Sequence, residues 1–173
     1  MSKPPKRITD TEAYRMGGGV LIAAIAVIMV ALGFEHIVGF KPCELCYMQR
    51  WGYYFSIPVA FAALSLVSAE KAQASALLFF GIALAFLATT GLAVYQAGAE
   101  WQFWPGPASC SGASTLATDA GNLLEAVKQT TIVRCDKPQI RILGLSFAGW
   151  NAMISLALFA AALKAAFAAA ERR

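Results

Sequence analysis

Residues 72–99 read AQASALLFFGIALAFLATTGLAVYQAGA, 28 residues without one charged side chain. A helix needs about 20 apolar residues to cross the roughly 30 Å of a bilayer's hydrocarbon, so this stretch is long enough to span one. It is not alone. Met16–Phe34 and Trp51–Ala69 are uncharged runs of 19 residues each, and Ile142–Leu163 is one of 22. A soluble core helix rarely needs such length, and four of them in 173 residues leave little room for a soluble domain. Composition agrees: 58% of residues are hydrophobic and 14% charged, against about 25% charged in an average soluble domain.

The expected fold is therefore an all-α integral membrane protein, a bundle of four transmembrane helices. Spans are expected at 16–36, 49–69, 74–97 and 144–166, with tails at 1–15 and 167–173 and outer loops at 37–48 and 98–143. The first run follows a basic start, KPPKR, but exceeds the 7–15 apolar residues of a signal peptide and lacks a small-x-small cleavage site. A retained anchor is expected.

Lysine and arginine set the expected orientation. The tails and the short 69–73 link carry Lys3, Lys6, Arg7, Arg15, Lys71, Lys164, Arg172 and Arg173 in short segments. The opposite side carries six positives over a much longer length. Both termini are thus expected in the cytoplasm. A net charge of +4 reads as topology and contact with anionic lipid, not as nucleic-acid binding.

All four cysteines fall on the outer side: Cys43 and Cys46 in the first outer loop, Cys110 and Cys135 in the second. An even count in an oxidising compartment favours disulfide chemistry. Structural zinc sites usually pair two short Cys knuckles, whereas Cys110 and Cys135 lie 25 positions apart, so no metal is expected. Spacing leaves all three pairings open. A bond closing the 110–135 step would stabilise by about 3 kcal/mol through chain entropy. A bond within Cys43-Glu-Leu-Cys46 closes almost no loop, which marks that pair as reactive.

The neighbours of the pair fit that reading. In GFKPCELCYMQRWGYY, residues 39–54, Pro42 stops a preceding helix and suits the first turn of the next. The cysteines then sit at a helix N-terminus, where unpaired N–H groups and the helix dipole favour a thiolate. Arg50 follows Cys46 by four residues and shares its helix face. A dithiol at the membrane rim with a permanent cation beside it can pass two electrons to a lipid-soluble carrier. A quinone suits that place, with Arg50 stabilising its anionic form.

The second outer loop opens with EWQFWPGPASC, whose Trp101, Phe103 and Trp104 suit the headgroup belt. In TLATDAGNLLEAVKQT, residues 115–130, Leu116, Ala120, Leu123, Leu124 and Val127 recur at helical spacing opposite Asp119, Asn122, Glu125 and Lys128. A short amphipathic helix is expected there, flat on the bilayer or on the bundle top. Ser146 and Asn151 are expected to make only local caps or hydrogen bonds, and His36 to sit at the interface.

PCELCYMQRW at the mouth of the second span, with WPGPASC and CDKPQIRILGLSFAGWN, resembles the DsbB family of bacterial inner-membrane disulfide bond formation proteins. The resemblance covers nearly the whole chain. It implies reoxidation of a DsbA-type, thioredoxin-fold periplasmic protein and reduction of ubiquinone or menaquinone. It further implies that Cys110 takes the attack of the DsbA thiolate, that Cys135 leaves and attacks Cys43, and that Cys46 faces the quinone beside Arg50. DsbA is itself strongly oxidising, at about −120 mV, so the quinone supplies the driving force. Many members carry a histidine near the outer end of the third span. Here VYQAGAEW has Gln96 and Glu100 instead, which makes Glu100 the candidate for proton handling. Gln49 stands where some relatives have an acid.

Two other readings compete. A tetraspan scaffold with structural loop disulfides would show no turnover. A bundle of the vitamin K epoxide reductase type also uses quinone and two cysteine pairs, but places its active CxxC late in the chain, whereas Cys43 comes early.

Overall fold

Each uncharged run forms one long helix, because in lipid every backbone polar group must be satisfied within its own segment. The structure, a computed structural model, describes residues 12–106, 135, 138 and 140–171. Its helices are α1 (Glu12–His36), α2 (Glu44–Ser68), α3 (Ala72–Glu100) and α4 (Phe147–Ala170), and all four are long and apolar enough to cross a membrane. This is the four-helix membrane bundle expected from the sequence. The expected amphipathic helix at 115–130 and Cys110 lie outside the described residues.

α1 packs on α2 and α4, and α3 packs on the same two helices, so the bundle closes as a ring. Its core is built largely from small residues, including Ala13, Ala24, Ala60, Ala63, Ala83, Ala162 and Ala165. Apolar burial drives little helix association in lipid, so close backbone approach and dispersion contacts carry the packing. Larger side chains fill the centre: Phe79, Ile82 and Phe86 of α3 and Tyr53 of α2 are buried. Gly17 shows the closeness required. A Cβ there would come within 2.5 Å of the Phe79 ring. The outer faces carry exposed Ile22, Met29, Phe61, Leu77, Leu84, Met153 and Phe167, the pattern of a lipid-facing surface.

Two features position the cysteine-bearing end of the bundle. α2 starts at Glu44, with Cys43 as its N-cap, directly after Pro42. Before α4, a two-stranded antiparallel hairpin pairs Arg141–Ile142 (β1) with Leu145–Ser146 (β2). Its turn residues Leu143 and Gly144 have φ of 53° and 83°, the signature of a type I′ turn. Ser146 ends the hairpin and caps α4, its Oγ accepting from the Gly149 amide at 3.2 Å.

Candidate functional site

Cys43 and Cys46 are both free thiols, with sulfurs 2.7 Å apart. The helix start creates that proximity. An N-cap residue and the third residue after it face each other across the first turn, and here the Cys43 sulfur accepts the Cys46 amide at 3.3 Å. Cys43 is buried and Cys46 half-buried. The neighbouring Cys46 sulfur, and then burial, push the Cys43 thiol well above the ordinary thiol range. Cys43 is thus the member that keeps its proton.

Cys135 arrives from the far end of the long loop. It is disulfide-bonded and fully buried, and it packs in one cluster with Cys43 and Leu45. A disulfide and a dithiol therefore meet at the head of α2, although 89 positions separate Cys46 and Cys135 in the chain.

On the other side of the pair is a cavity of about 510 Å³, within the usual range for small-molecule sites. Ala26, Val30 and Phe34 of α1 and Ile154 of α4 make its walls apolar, while Cys46, Gln49, Arg50, Gln96 and Glu100 form a polar end. Arg50 is ion-paired to Glu35 of α1, through Nη1 and Oε2. The Tyr47 hydroxyl donates to the other Glu35 oxygen at 3.0 Å, and the guanidinium lies 5.2 Å from the Tyr47 ring centroid.

Gln96 and Glu100 of α3 close the site from behind. The Gln96 amide nitrogen approaches Cys43 and Cys46 at 3.6 and 3.5 Å and donates to Glu100 Oε1 at 3.3 Å. Glu100 is 8% exposed, so it is a buried carboxyl and not a solvated rim residue. Its Oε2 makes no hydrogen bond among the described residues, with Ser146 and Arg141 on its flank. Trp104 folds back on α3, donating to the Tyr95 carbonyl at 2.9 Å and covering Gly98, where a Cβ would meet the indole at 2.0 Å. His36 is exposed at the end of α1.

Of the expected site residues, Cys43, Cys46, Arg50 and Glu100 thus line one cavity, and Cys135 packs behind Cys43. The sequence reading does not reach Glu35, Tyr47 or Tyr53. Glu35 carries a faint signal, since it and Arg50 are the charges that bound two apolar runs at the same rim. Asn151 was expected to bond locally. Instead it bridges to α2, 102 positions away, donating to Gln49 at 2.6 Å.

A four-span membrane bundle with a dithiol at its mouth, and a disulfide-bonded cysteine packed against that dithiol, defines a membrane thiol–disulfide protein. Comparison with known families agrees. Residues 15–165 match the family model described as "Disulfide bond formation protein DsbB", and the chain belongs to that family. It is 27% identical to an uncharacterized protein of Rickettsia prowazekii over 85% of this chain and 84% of the other. It is 26% identical to Disulfide bond formation protein B of Marinobacter nauticus over 79% of this chain and 81% of that one. No solved structure matches. Membership makes this a multi-pass membrane protein of disulfide formation, with thiol oxidoreductase activity.

Proposed function

We propose that the protein reoxidises a DsbA-type thioredoxin-fold protein in the periplasm and passes the electrons to ubiquinone or menaquinone. It would do so from the bacterial inner membrane, with both termini cytoplasmic. One observation carries the reading: the Cys43/Cys46 dithiol stands between a disulfide-bonded Cys135 and an apolar cavity with a polar end.

The cavity suits a quinone. Its apolar walls would accept a prenylated ring, and Arg50 at the polar end would offer a donor to a quinone oxygen. A bound quinone supplies a two-electron, two-proton acceptor. The chain's own residues do the rest by exchange. The partner's thiolate attacks Cys110, which we assign as the other half of the Cys135 disulfide, and Cys135 leaves as a thiolate. Cys135 then attacks Cys43 of an oxidised Cys43–Cys46 pair and frees Cys46 as a thiolate facing the cavity. The partner's second thiol attacks its own sulfur in the bond to Cys110 and leaves oxidised. Cys110 is freed, and its attack on Cys135 releases Cys43. Each exchange breaks one S–S bond and makes one. Reoxidation of the Cys43–Cys46 pair delivers the two electrons and two protons taken from the partner. Glu100, buried beside Cys46, is the group placed to take and return a proton.

The test is turnover of the purified protein with reduced DsbA and, in turn, ubiquinone and menaquinone, following quinone absorbance and thiol loss together. Activity that vanishes when any of the four cysteines becomes alanine is expected. Absence of turnover with both quinones, in protein that is folded, rejects the reading and leaves the scaffold.

A further inference from the structure

Below the cysteine pair, four uncharged polar side chains from three helices run in single file. The Tyr53 hydroxyl donates to Asn151 Oδ1 at 2.6 Å, and Asn151 Nδ2 donates to Gln49 Oε1 at 2.6 Å. Gln49 Nε2 donates to Gln96 Oε1 at 2.7 Å, and Gln96 Nε2 then faces both sulfurs and Glu100. Each carboxamide has one donor end and one acceptor end, so turning any one of them obliges the next to turn. Three amides in series therefore have only two fully bonded polarities. In one, Gln96 shows its amino group to the sulfurs. In the other it shows its carbonyl, which repels a thiolate or a carboxylate. The first polarity requires a donor at the far end, and the buried Tyr53 hydroxyl provides it.

We propose that Asn151 is a positioning residue: by holding Gln49, and through it Gln96, it keeps an N–H aimed at the Cys46 sulfur and stabilises that thiolate. The inference rests on the reading of Cys46 as the reacting thiol. Buried hydrogen bonds in series reinforce one another in a low dielectric, so a residue three links from the sulfur is felt there. The other groups facing Cys46 are Cys43 from the head of α2, Glu100 from α3, and Arg50 with Glu35 across the cavity. Lys41 stands ahead of α2 and Arg141 on β1. Changing Asn151 leaves every one of these charges in place.

The test uses the full chain, fully reduced, in lipid nanodiscs without quinone. Alkylation of Cys46 by iodoacetamide is followed by mass spectrometry at pH 5 and pH 10. Gln96→Leu is expected to slow Cys46 about fourfold at pH 5, because losing one hydrogen bond to the ionised sulfur lowers the thiolate fraction about tenfold while the weaker acid is about two- to threefold the better nucleophile. Asn151→Leu is expected to slow it about twofold. Both differences should close or reverse at pH 10, where each variant is thiolate. The double variant should be no slower than Gln96→Leu alone, because Asn151 acts only through Gln96. Unchanged alkylation in Asn151→Leu overturns the proposal, as does an equal slowing at both pH values or multiplying effects in the double variant. If Asn151→Leu does not fold, Tyr53→Phe keeps the shape of the core and carries the same expectations. No quinone enters the measurement, so it stands or falls apart from turnover.

Discussion

Glu35 at the C-terminal end of α1 is ion-paired to Arg50 in the second turn of α2, and both line the cavity beside Cys46. The side chains are 12% and 19% exposed for Arg50 and Glu35, so the pair is largely screened from water. Glu35 fixes where the cation stands. It also partly neutralises Arg50, and the guanidinium is left to act on a bound anion by direct contact.

Arg50→Leu is expected to raise the apparent KM for quinone about tenfold or more, a loss of about 1.4 kcal/mol of binding. The rate of exchange with the DsbA-type partner should stay near wild type. Stopped-flow thiol oxidation measured apart from quinone reduction separates the two. Unchanged quinone kinetics would remove Arg50 from the site.

Glu35→Gln leaves Arg50 half-buried without its counter-charge. A loss of about 1–3 kcal/mol is expected, seen as a lower Tm in detergent. In the Arg50→Leu background the same change should cost far less, since the coupling of contacting residues has gone. Additive losses would show that the pair contributes nothing.

Cys43 governs the alkaline response. Its thiol is held above the ordinary range by Cys46 and by burial, so in reduced protein its alkylation should stay slow from pH 7 to pH 9.5. An ordinary exposed thiol accelerates through that window, because the thiolate is the nucleophile. The linked effect on stability has a definite sign. Below the ordinary thiol range both folded and unfolded chains hold the proton and the contribution is complete. As pH rises from there toward the raised folded value, only the unfolded chain releases it, so stability falls. Above pH 9.5 Cys46 is thiolate in the folded and unfolded chain alike, so thermal unfolding of reduced protein at pH 9.5 and 10.5 should show the drop due to Cys43, and Cys43→Ala should lessen it.

Cys135→Ala tests the order of exchange. With no Cys135 thiolate to leave or to attack Cys43, quinone-dependent turnover should fall below about a hundredth of wild type. Cys110, left as a free thiolate, should attack the disulfide of the oxidised partner, release the partner's second thiol and accumulate as a mixed disulfide on non-reducing gels. A mixed disulfide through Cys43 would reverse the proposed roles of the two pairs.

Much of this architecture is legible in the sequence, for reasons that also mark where legibility stops. Lipid forbids charge and unsatisfied backbone, so the charge-free runs announce the spans almost by themselves. Pro42 announces the start of α2, and with it the capping position of Cys43. What lies between helices is different. Periodicity tells which residues share a face of one helix, but nothing in SFAGWN says that Asn151 will meet Gln49 rather than its own backbone. Glu35 and Arg50 are 15 positions apart with a helix end between them, so no i, i+4 rule pairs them. The hairpin before α4 is hidden for a local reason. Its type I′ turn puts Leu143 at positive φ, where asparagine or aspartate would be the usual cue and leucine gives none. Glu100 looks like a rim carboxyl until the hairpin and Gln96 are seen to bury it.

Gly52 links the packing of the bundle to the site. It lies about one turn below Gln49 and nearly two below Cys46 on α2, and a Cβ there would come within 2.0 Å of Thr89 Oγ1 and 3.4 Å of the Ala85 carbonyl of α3. Thr89 cannot simply swing away, because its hydroxyl donates to that same carbonyl at 3.0 Å. Gly52→Ala must therefore push α2 from α3 or turn Thr89 out of its bond, a cost of about 1–3 kcal/mol for an overpacked contact. The displacement acts where Gln49 and Gln96 join the two helices, so Cys46 alkylation at pH 5 should slow as well as Tm fall. Thr89→Ala removes the clashing oxygen, and the Gly52→Ala/Thr89→Ala double variant should regain most of both losses. A double variant no better than Gly52→Ala alone would mean that the α2–α3 separation is not set at this contact.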